Sequence, residues 1–176
     1  MPQTPKLRCA PLTPPFEVVL VEPEIPPNTG AVARTCAATQ SPLHLVGPLG
    51  FEISDRAVKR AGIDYWHLVD VHRHAQLDDL LLRKPTPRFF LFSSDATTSY
   101  IDAEYRPGDL LIFGRESVGL PRELLEKHRE RVLGIPTSGG VRSLNLSNAV
   151  AIVLFEALRA TGGLSQTFVE DMGPPT

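Results

Sequence analysis

The 176-residue chain predicts an α/β fold: one domain, with a mostly parallel sheet flanked by helices. Two observations carry that expectation. Short β-branched or apolar runs alternate along the chain with longer stretches of helical character. Several of those runs lead straight into loops of small and polar residues that open a helix, as strand-to-helix turns do in such sheets.

The elements follow in order. Phe16 to Val21 is a buried strand, closed by Pro23, Pro26 and Pro27. Gly30 to Ala38 is helical, with Asn28 or Thr29 as its cap. Leu43 to Val46 is the second strand and ends at Gly47-Pro48. Ser54 to Arg60 reads as a helix, Leu68 to Val71 as a short strand, and Leu77 to Leu82 as a helix. Arg88 to Phe92 and Leu110 to Phe113 are strongly strand-like. Pro121 to His128 is a helix with proline at its first position, Val132 to Ile135 the last strand, and Ser147 to Arg159 the last helix. That helix is apolar on most of its circumference, which suits a central position or a subunit interface and so implies a homodimer.

Composition narrows the class. An apolar fraction of 42% and a charged fraction of 22% are ordinary for a globular protein. No apolar run approaches the roughly eighteen residues of a membrane span, and no secretion signal opens the chain. Residues 1–15, rich in proline, read as a disordered leader, 16–160 as the folded domain, and 161–176 as a loose tail whose Phe168 and Val169 could dock. Cys9 and Cys36 are the only cysteines, a disulfide is not expected, and a reducing cytoplasm fits. No Cys/His cluster has metal spacing, and His72 and His74 read as a solvated pair. The net charge of −2 is no signature of nucleic-acid binding, yet Arg56, Lys59, Arg60, His72, Arg73 and His74 gather cations in one stretch.

Three constellations could carry chemistry. Asn28-Thr29-Gly30 precedes Arg34, whose planar fork suits a phosphate. Gly114-Arg115-Glu116 with Gly119 follows a strand, where glycine lets a ligand approach the backbone. Its spacing matches neither a phosphate-cradling Walker loop nor the dinucleotide fingerprint. Ser143, Asn145, Ser147 and Asn148 offer more capping groups than one helix needs. No histidine or acid stands beside them to build a nucleophile triad, so hydrolase chemistry lacks support.

Together these motifs resemble the SPOUT superfamily of RNA methyltransferases. Within it the chain is similar to the small tRNA wobble-nucleotide 2′-O-methyltransferases, the TrmL or YibK-like group. Glu22 to Gly30 with Arg34 resembles the group's first motif, Phe113 to Pro121 the second, and Ile135-Pro136 with Ser143 to Asn148 the third. Lys59 to Trp66 matches a further stretch of the subgroup, and the likeness runs from Phe16 to Ala160.

The resemblance implies a C-terminal trefoil knot, an S-adenosylmethionine cofactor without a metal, and a homodimer whose site draws on both subunits. It places cofactor contacts at Phe92, Gly114, Glu116, Ile135, Ser143 and Leu144, and the polar catalytic set at Asn28, Arg34, Glu116, Ser143 and Asn145. The implied reaction is 2′-O-methylation of nucleotide 34, a cytidine or modified uridine, in the anticodon stem-loop of tRNA. Arg60, Tyr65, Arg73 and Arg115 are the expected RNA contacts. Arg115 stands where many relatives carry proline. Another RNA site, a knotted RNA-binding protein without catalysis, and an ordinary doubly wound nucleotide binder are the competing expectations.

Overall fold

A computed structural model describes residues 5–51 and 66–170. Its centre is a six-stranded, wholly parallel sheet made of β2 (Glu17–Val21), β3 (Leu43–Val46), β4 (Val71–His74), β5 (Phe89–Phe92), β6 (Leu110–Phe113) and β7 (Val132–Leu133). The spatial order is β4-β3-β2-β6-β5-β7. The chain builds outward from β2 to one edge, then crosses and builds the other half. The order therefore reverses between β2 and β6, which pair in the register Leu20 to Phe113. Loops at the carboxyl ends of these strands form the crevice in which such sheets bind ligands.

Side-chain alternation splits the core into two layers. Val18, Leu20, Leu43, Leu45, Leu111 and Phe113 face α1 (Pro26–Thr39) and α4 (Leu146–Ala160), from which Val32, Cys36, Val150, Val153 and Leu154 pack against them. Val19, Val46, Leu91, Leu110 and Ile112 face the other way, toward α2 (Leu77–Leu81) and α3 (Arg122–Lys127) through Leu80, Leu124 and Leu125. A parallel sheet needs both faces covered, and this one has both.

Several expectations need correction. Helix α1 begins at Pro26, four residues earlier than expected, because two prolines with fixed φ are suited to a first turn whose N–H groups lack intrahelical partners. Neither Asn28 nor Thr29 caps it; both are buried inside its first turn. The strand expected over 68–71 begins at Val71, and Trp66–Leu68 forms a 3₁₀ turn instead. Pairing with β3 selects Val71 to His74, which brings His74 into a buried contact with His44 rather than into solvent. Strand β7 stops at Leu133, where Gly134 exchanges backbone hydrogen bonds with Thr98 and Tyr100.

The leader and tail also differ from expectation. β1 (Lys6–Cys9) and β8 (Thr167–Glu170) pair antiparallel as a separate two-stranded ribbon, with Leu7 opposite Val169 and Arg8 bonded to Glu170 at 2.8 Å. Cross-strand pairing satisfies backbone groups that neither segment could satisfy alone. The helix expected over 54–60 lies outside the described residues.

Candidate active site

Three loops meet at the carboxyl ends of β2, β6 and β7. Glu116, in the loop after β6, sends its carboxylate across to the start of α1. Its Oε2 accepts from the Glu24 N–H at 2.8 Å, and its Oε1 accepts from the Ile25 N–H at 3.2 Å and from Asn28 Nδ2 at 3.0 Å. Ile25, the N-cap residue, has no capping side chain of its own, so a carboxylate some ninety residues away supplies the negative charge that a helix N-terminus favours.

The network continues from Asn28. Its Oδ1 accepts from Asn145 Nδ2 at 3.0 Å, and Asn145 Oδ1 in turn accepts from the N–H groups of Ser147 at 2.9 Å and Asn148 at 3.4 Å, capping α4. Both amides have their orientation fixed by what they touch, since Asn28 must donate to a carboxylate and Asn145 must accept from backbone N–H groups. A single chain of bonds thus runs Glu116–Asn28–Asn145 and ties the first turns of α1 and α4 together.

Around this network lies a cleft of about 1250 Å³. All six residues expected to hold the cofactor line it: Phe92, Gly114, Glu116, Ile135, Ser143 and Leu144. Asn28 and Asn145 line it as well. Phe92 is stacked on Phe113 with ring centroids 4.7 Å apart, which makes the floor apolar and stiff. Gly114 is buried against the returning strand of its own loop, where a Cβ would overlap the Gly119 carbonyl carbon and the Leu120 nitrogen. An apolar floor, a rim of backbone groups and a few fixed polar side chains suit a nucleoside-sized ligand.

Arg34 is placed differently. It sits on the exposed side of α1 and is not among the residues lining the cleft. Arg115 is drawn into an ion pair with Glu22 at the cleft edge, so its guanidinium is engaged within the protein. Arg73 is exposed on β4. Arg60 and Tyr65 lie outside the described residues.

Three further residues of this region are not among the expected site residues, although Glu24 and Ser117 lie within the first and second motif stretches. Glu24 accepts from the Ser117 N–H and Oγ–H, each at 3.0 Å, and Arg142 Nη2 donates to the Ser117 carbonyl at 3.3 Å. The hydrogen bonds from the Ser117 side chain and backbone, aided by the Arg115 charge, outweigh desolvation and hold the Glu24 carboxyl below its ordinary range.

A second buried polar group lies on the other face of the sheet. His44 Nε2 meets Glu17 Oε2 at 2.9 Å, His44 Nδ1 meets His74 Nε2 at 2.9 Å, and Lys84 reaches Glu17 at 2.7 Å. Desolvation lowers the His74 pKa, helped by the charges of His44, Arg83 and His72. Burial would raise Glu17, but the His44 and Lys84 hydrogen bonds and charges prevail and lower it.

Comparison with known proteins agrees with this architecture. The SpoU rRNA methylase family model matches residues 15–155. A tRNA (cytidine(34)-2′-O)-methyltransferase from Polaromonas sp. is 47% identical over 150 residues, covering 84% of this chain and 92% of that protein. A solved structure described as giving structural insights into the 2-OH methylation of C/U34 on tRNA is 47% identical, with a TM-score of 0.78, over 84% of this chain and 97% of its own. An AdoMet-bound rRNA methyltransferase from Sinorhizobium meliloti is 28% identical with a TM-score of 0.72, over 86% of this chain and 61% of its own. The terminal ribbon falls wholly outside the matched stretch, whereas the three cleft loops fall within it. The chain therefore belongs to the SpoU rRNA methylase family.

Proposed function

We propose that this protein transfers a methyl group from S-adenosylmethionine to the ribose 2′-oxygen of nucleotide 34, a cytidine or modified uridine, in the anticodon stem-loop of tRNA. The observation that carries this reading is the convergence of three motif loops on one cleft, with Glu116, Asn28 and Asn145 joined in a single hydrogen-bonded chain along its wall. The relative named for cytidine-34 methylation, similar over nearly its whole length, supports the choice of substrate.

The residues present fit the cofactor. Phe92, Ile135 and Leu144 offer apolar surface for a purine, while Gly114 leaves the β6 loop backbone closely approachable. When bound, S-adenosylmethionine supplies an activated methyl carbon. The protein must then orient the sugar oxygen toward that carbon, and such alignment can lower a barrier by about 7–11 kcal/mol at the extreme. Asn28 and Asn145, locked by Glu116 and by the α4 N-terminus, hold fixed dipoles at the cleft wall.

Arg34 cannot act as a simple base, because a guanidinium keeps its proton in proteins. Its role in this reading is to stabilise negative charge as the 2′-oxygen loses its proton, and to clamp the adjacent phosphate. Its place outside its own protomer's cleft supports a homodimer in which Arg34 completes the partner's site. Ile152 and Phe155, 38% and 44% exposed on the face of α4 opposite its buried Val150, Val153 and Leu154, supply apolar surface for that interface. The C-terminal trefoil knot belongs to the same reading. In this reading the protein works in the cytoplasm, beside its tRNA substrate.

The test is nucleoside mass spectrometry on tRNA treated with the purified protein and S-adenosylmethionine. A 2′-O-methylated nucleotide at position 34 is expected, and it should vanish when that nucleotide is deleted. Methylation elsewhere in tRNA or in ribosomal RNA would overturn the substrate assignment. RNA binding without any transfer would overturn the activity.

A further inference from the structure

Besides the Glu116–Asn28–Asn145 chain, Ser117 is a second point where the three cleft loops are fastened to one another. Its N–H and Oγ–H both donate to the Glu24 carboxylate at 3.0 Å, and its carbonyl accepts from Arg142 Nη2 at 3.3 Å. Glu24 lies before α1, Ser117 after β6, and Arg142 between β7 and α4. The contact is also reciprocal. Glu116 binds the backbone N–H of Glu24, while Glu24 binds the backbone N–H of Ser117, so adjacent loops exchange carboxylates.

The loop over 115–119 is a small rigid unit. Arg115 and Gly119 exchange backbone hydrogen bonds at 3.2 and 2.9 Å, and Gly119 turns the chain with a φ of +72°. A unit this stiff moves as a body, so the tie at its tip, together with the Glu116 bonds to Glu24, Ile25 and Asn28, sets how far it stands from α1. Glu24 provides that tie with two bonds to one residue, and ionised acceptors make the stronger kind of hydrogen bond.

We infer that Glu24 is a positioning residue. Acting through Ser117, it holds the 115–119 loop, and through Arg142 the segment carrying Ser143 and Leu144, at the separation the cofactor requires. Glu24 contributes nothing to the apolar core, and Glu116 already serves the α1 N-terminus. Its removal should therefore loosen the cleft without unfolding the protein. Its role rests on the cleft being the S-adenosylmethionine site, as proposed above.

The experiment is titration calorimetry with S-adenosylmethionine on the intact protein, paired with thermal melting of the ligand-free protein. Wild-type binding is measured first. Its absence would sink the cofactor assignment itself, a result distinct from failure of the Glu24 role. Glu24→Ala should weaken binding by about tenfold, the scale of a lost hydrogen bond to a charged group. Its melting temperature should stay within a few degrees of wild type, as for other surface substitutions. Glu24→Gln, which keeps one acceptor oxygen, should recover part of the affinity. Ser117→Ala should weaken binding less than Glu24→Ala, and the double variant should be no worse than Glu24→Ala alone, because the two residues share one interaction. Wild-type affinity in Glu24→Ala would overturn the inference. So would losses that add in the double variant, or that track a matching fall in melting temperature. If Glu24→Ala does not fold, Glu24→Gln and Ser117→Ala decide by the same criteria.

Discussion

Asn145 Nδ2 donates to Asn28 Oδ1 at 3.0 Å, joining the starts of two helices through residues 117 apart in the chain. One amide performs two tasks at opposite ends. Its oxygen caps α4, and its nitrogen orients Asn28 toward Glu116. A residue usually explained as a helix cap is thus also part of the cleft wall.

The two tasks can be separated. Asn145→Ser keeps a good N-cap but loses the donor to Asn28, whereas Asn145→Ala loses both. The alanine variant should lose about 1 kcal/mol of stability in urea unfolding, and the serine variant only a few tenths. Both should lose about a hundredfold in single-turnover methyl transfer, the scale of a small misplacement in a preorganised site. Near wild-type transfer by Asn145→Ser would show that the amide bridge is merely structural.

Two glycines in the β6 loop should respond to alanine for different reasons. At Gly114 a Cβ would overlap the backbone of Gly119 and Leu120, which cannot swing aside. Gly114→Ala should cost about 1–3 kcal/mol, as overpacking does, and should weaken cofactor binding because the loop must open. At Gly119 there is open space, but a φ of +72° disfavours any Cβ. Gly119→Ala should cost about 1–2 kcal/mol. Unfolding curves and calorimetry on both variants check the ordering.

Much of this architecture is legible in the sequence because it rests on local pattern. Val18 to Val21 and Leu110 to Phe113 are unbroken apolar runs, Leu43 to Val46 is interrupted only by His44, and parallel strands buried on both faces demand such runs. The cleft was legible because its residues cluster in three short motifs. What stayed hidden depends on contacts between distant positions. Nothing near Pro26 announces that Glu116 will cap α1, so the helix start was misplaced by four residues. His74 looks solvent-facing until β4 settles beside β3 and His44 meets it. Glu24 and Ser117 lie in motif stretches, but their pairing is invisible until the fold brings them together from 93 residues apart.

The Glu17–His44–His74 group should make stability fall with acid in two stages. His74 has a folded pKa below its ordinary 6.5, so as pH falls the unfolded chain takes up this proton first. Its contribution is complete above pH 6.5 and is lost as pH drops through the folded value. The groups facing the ring are His44, His72, Arg83 and Asp79; only Asp79 favours the charged form. Glu17 is lowered from 4.5, so its contribution is lost below that pH, as the carboxylate held by His44 and Lys84 becomes protonated. Melting temperature measured from pH 8 down to about 2 should decline below 6.5 in wild type, and again below 4.5. In His74→Gln the first stage should flatten and the second persist. An unchanged first stage would assign the acid sensitivity to other groups.

Arg34 offers the sharpest test of a shared active site. It does not line the cleft of its own protomer, while Glu116 is at the heart of that cleft. In the proposed dimer each site takes Arg34 from one subunit and Glu116 from the other. Arg34→Ala homodimers should then bind S-adenosylmethionine normally but transfer methyl groups at least a hundredfold more slowly, the scale of removing one charge-stabilising group. Glu116→Gln homodimers should also be slow, because a neutral amide serves the Glu24, Ile25 and Asn28 donors poorly. Mixing the two variants under subunit exchange, or coexpressing them, produces heterodimers with one doubly damaged site and one intact site. Half of wild-type activity per heterodimer is therefore expected, although neither parent is active. Should Arg34 serve the cleft of its own chain, each subunit of the heterodimer would carry one damaged site. No activity would return at any mixing ratio.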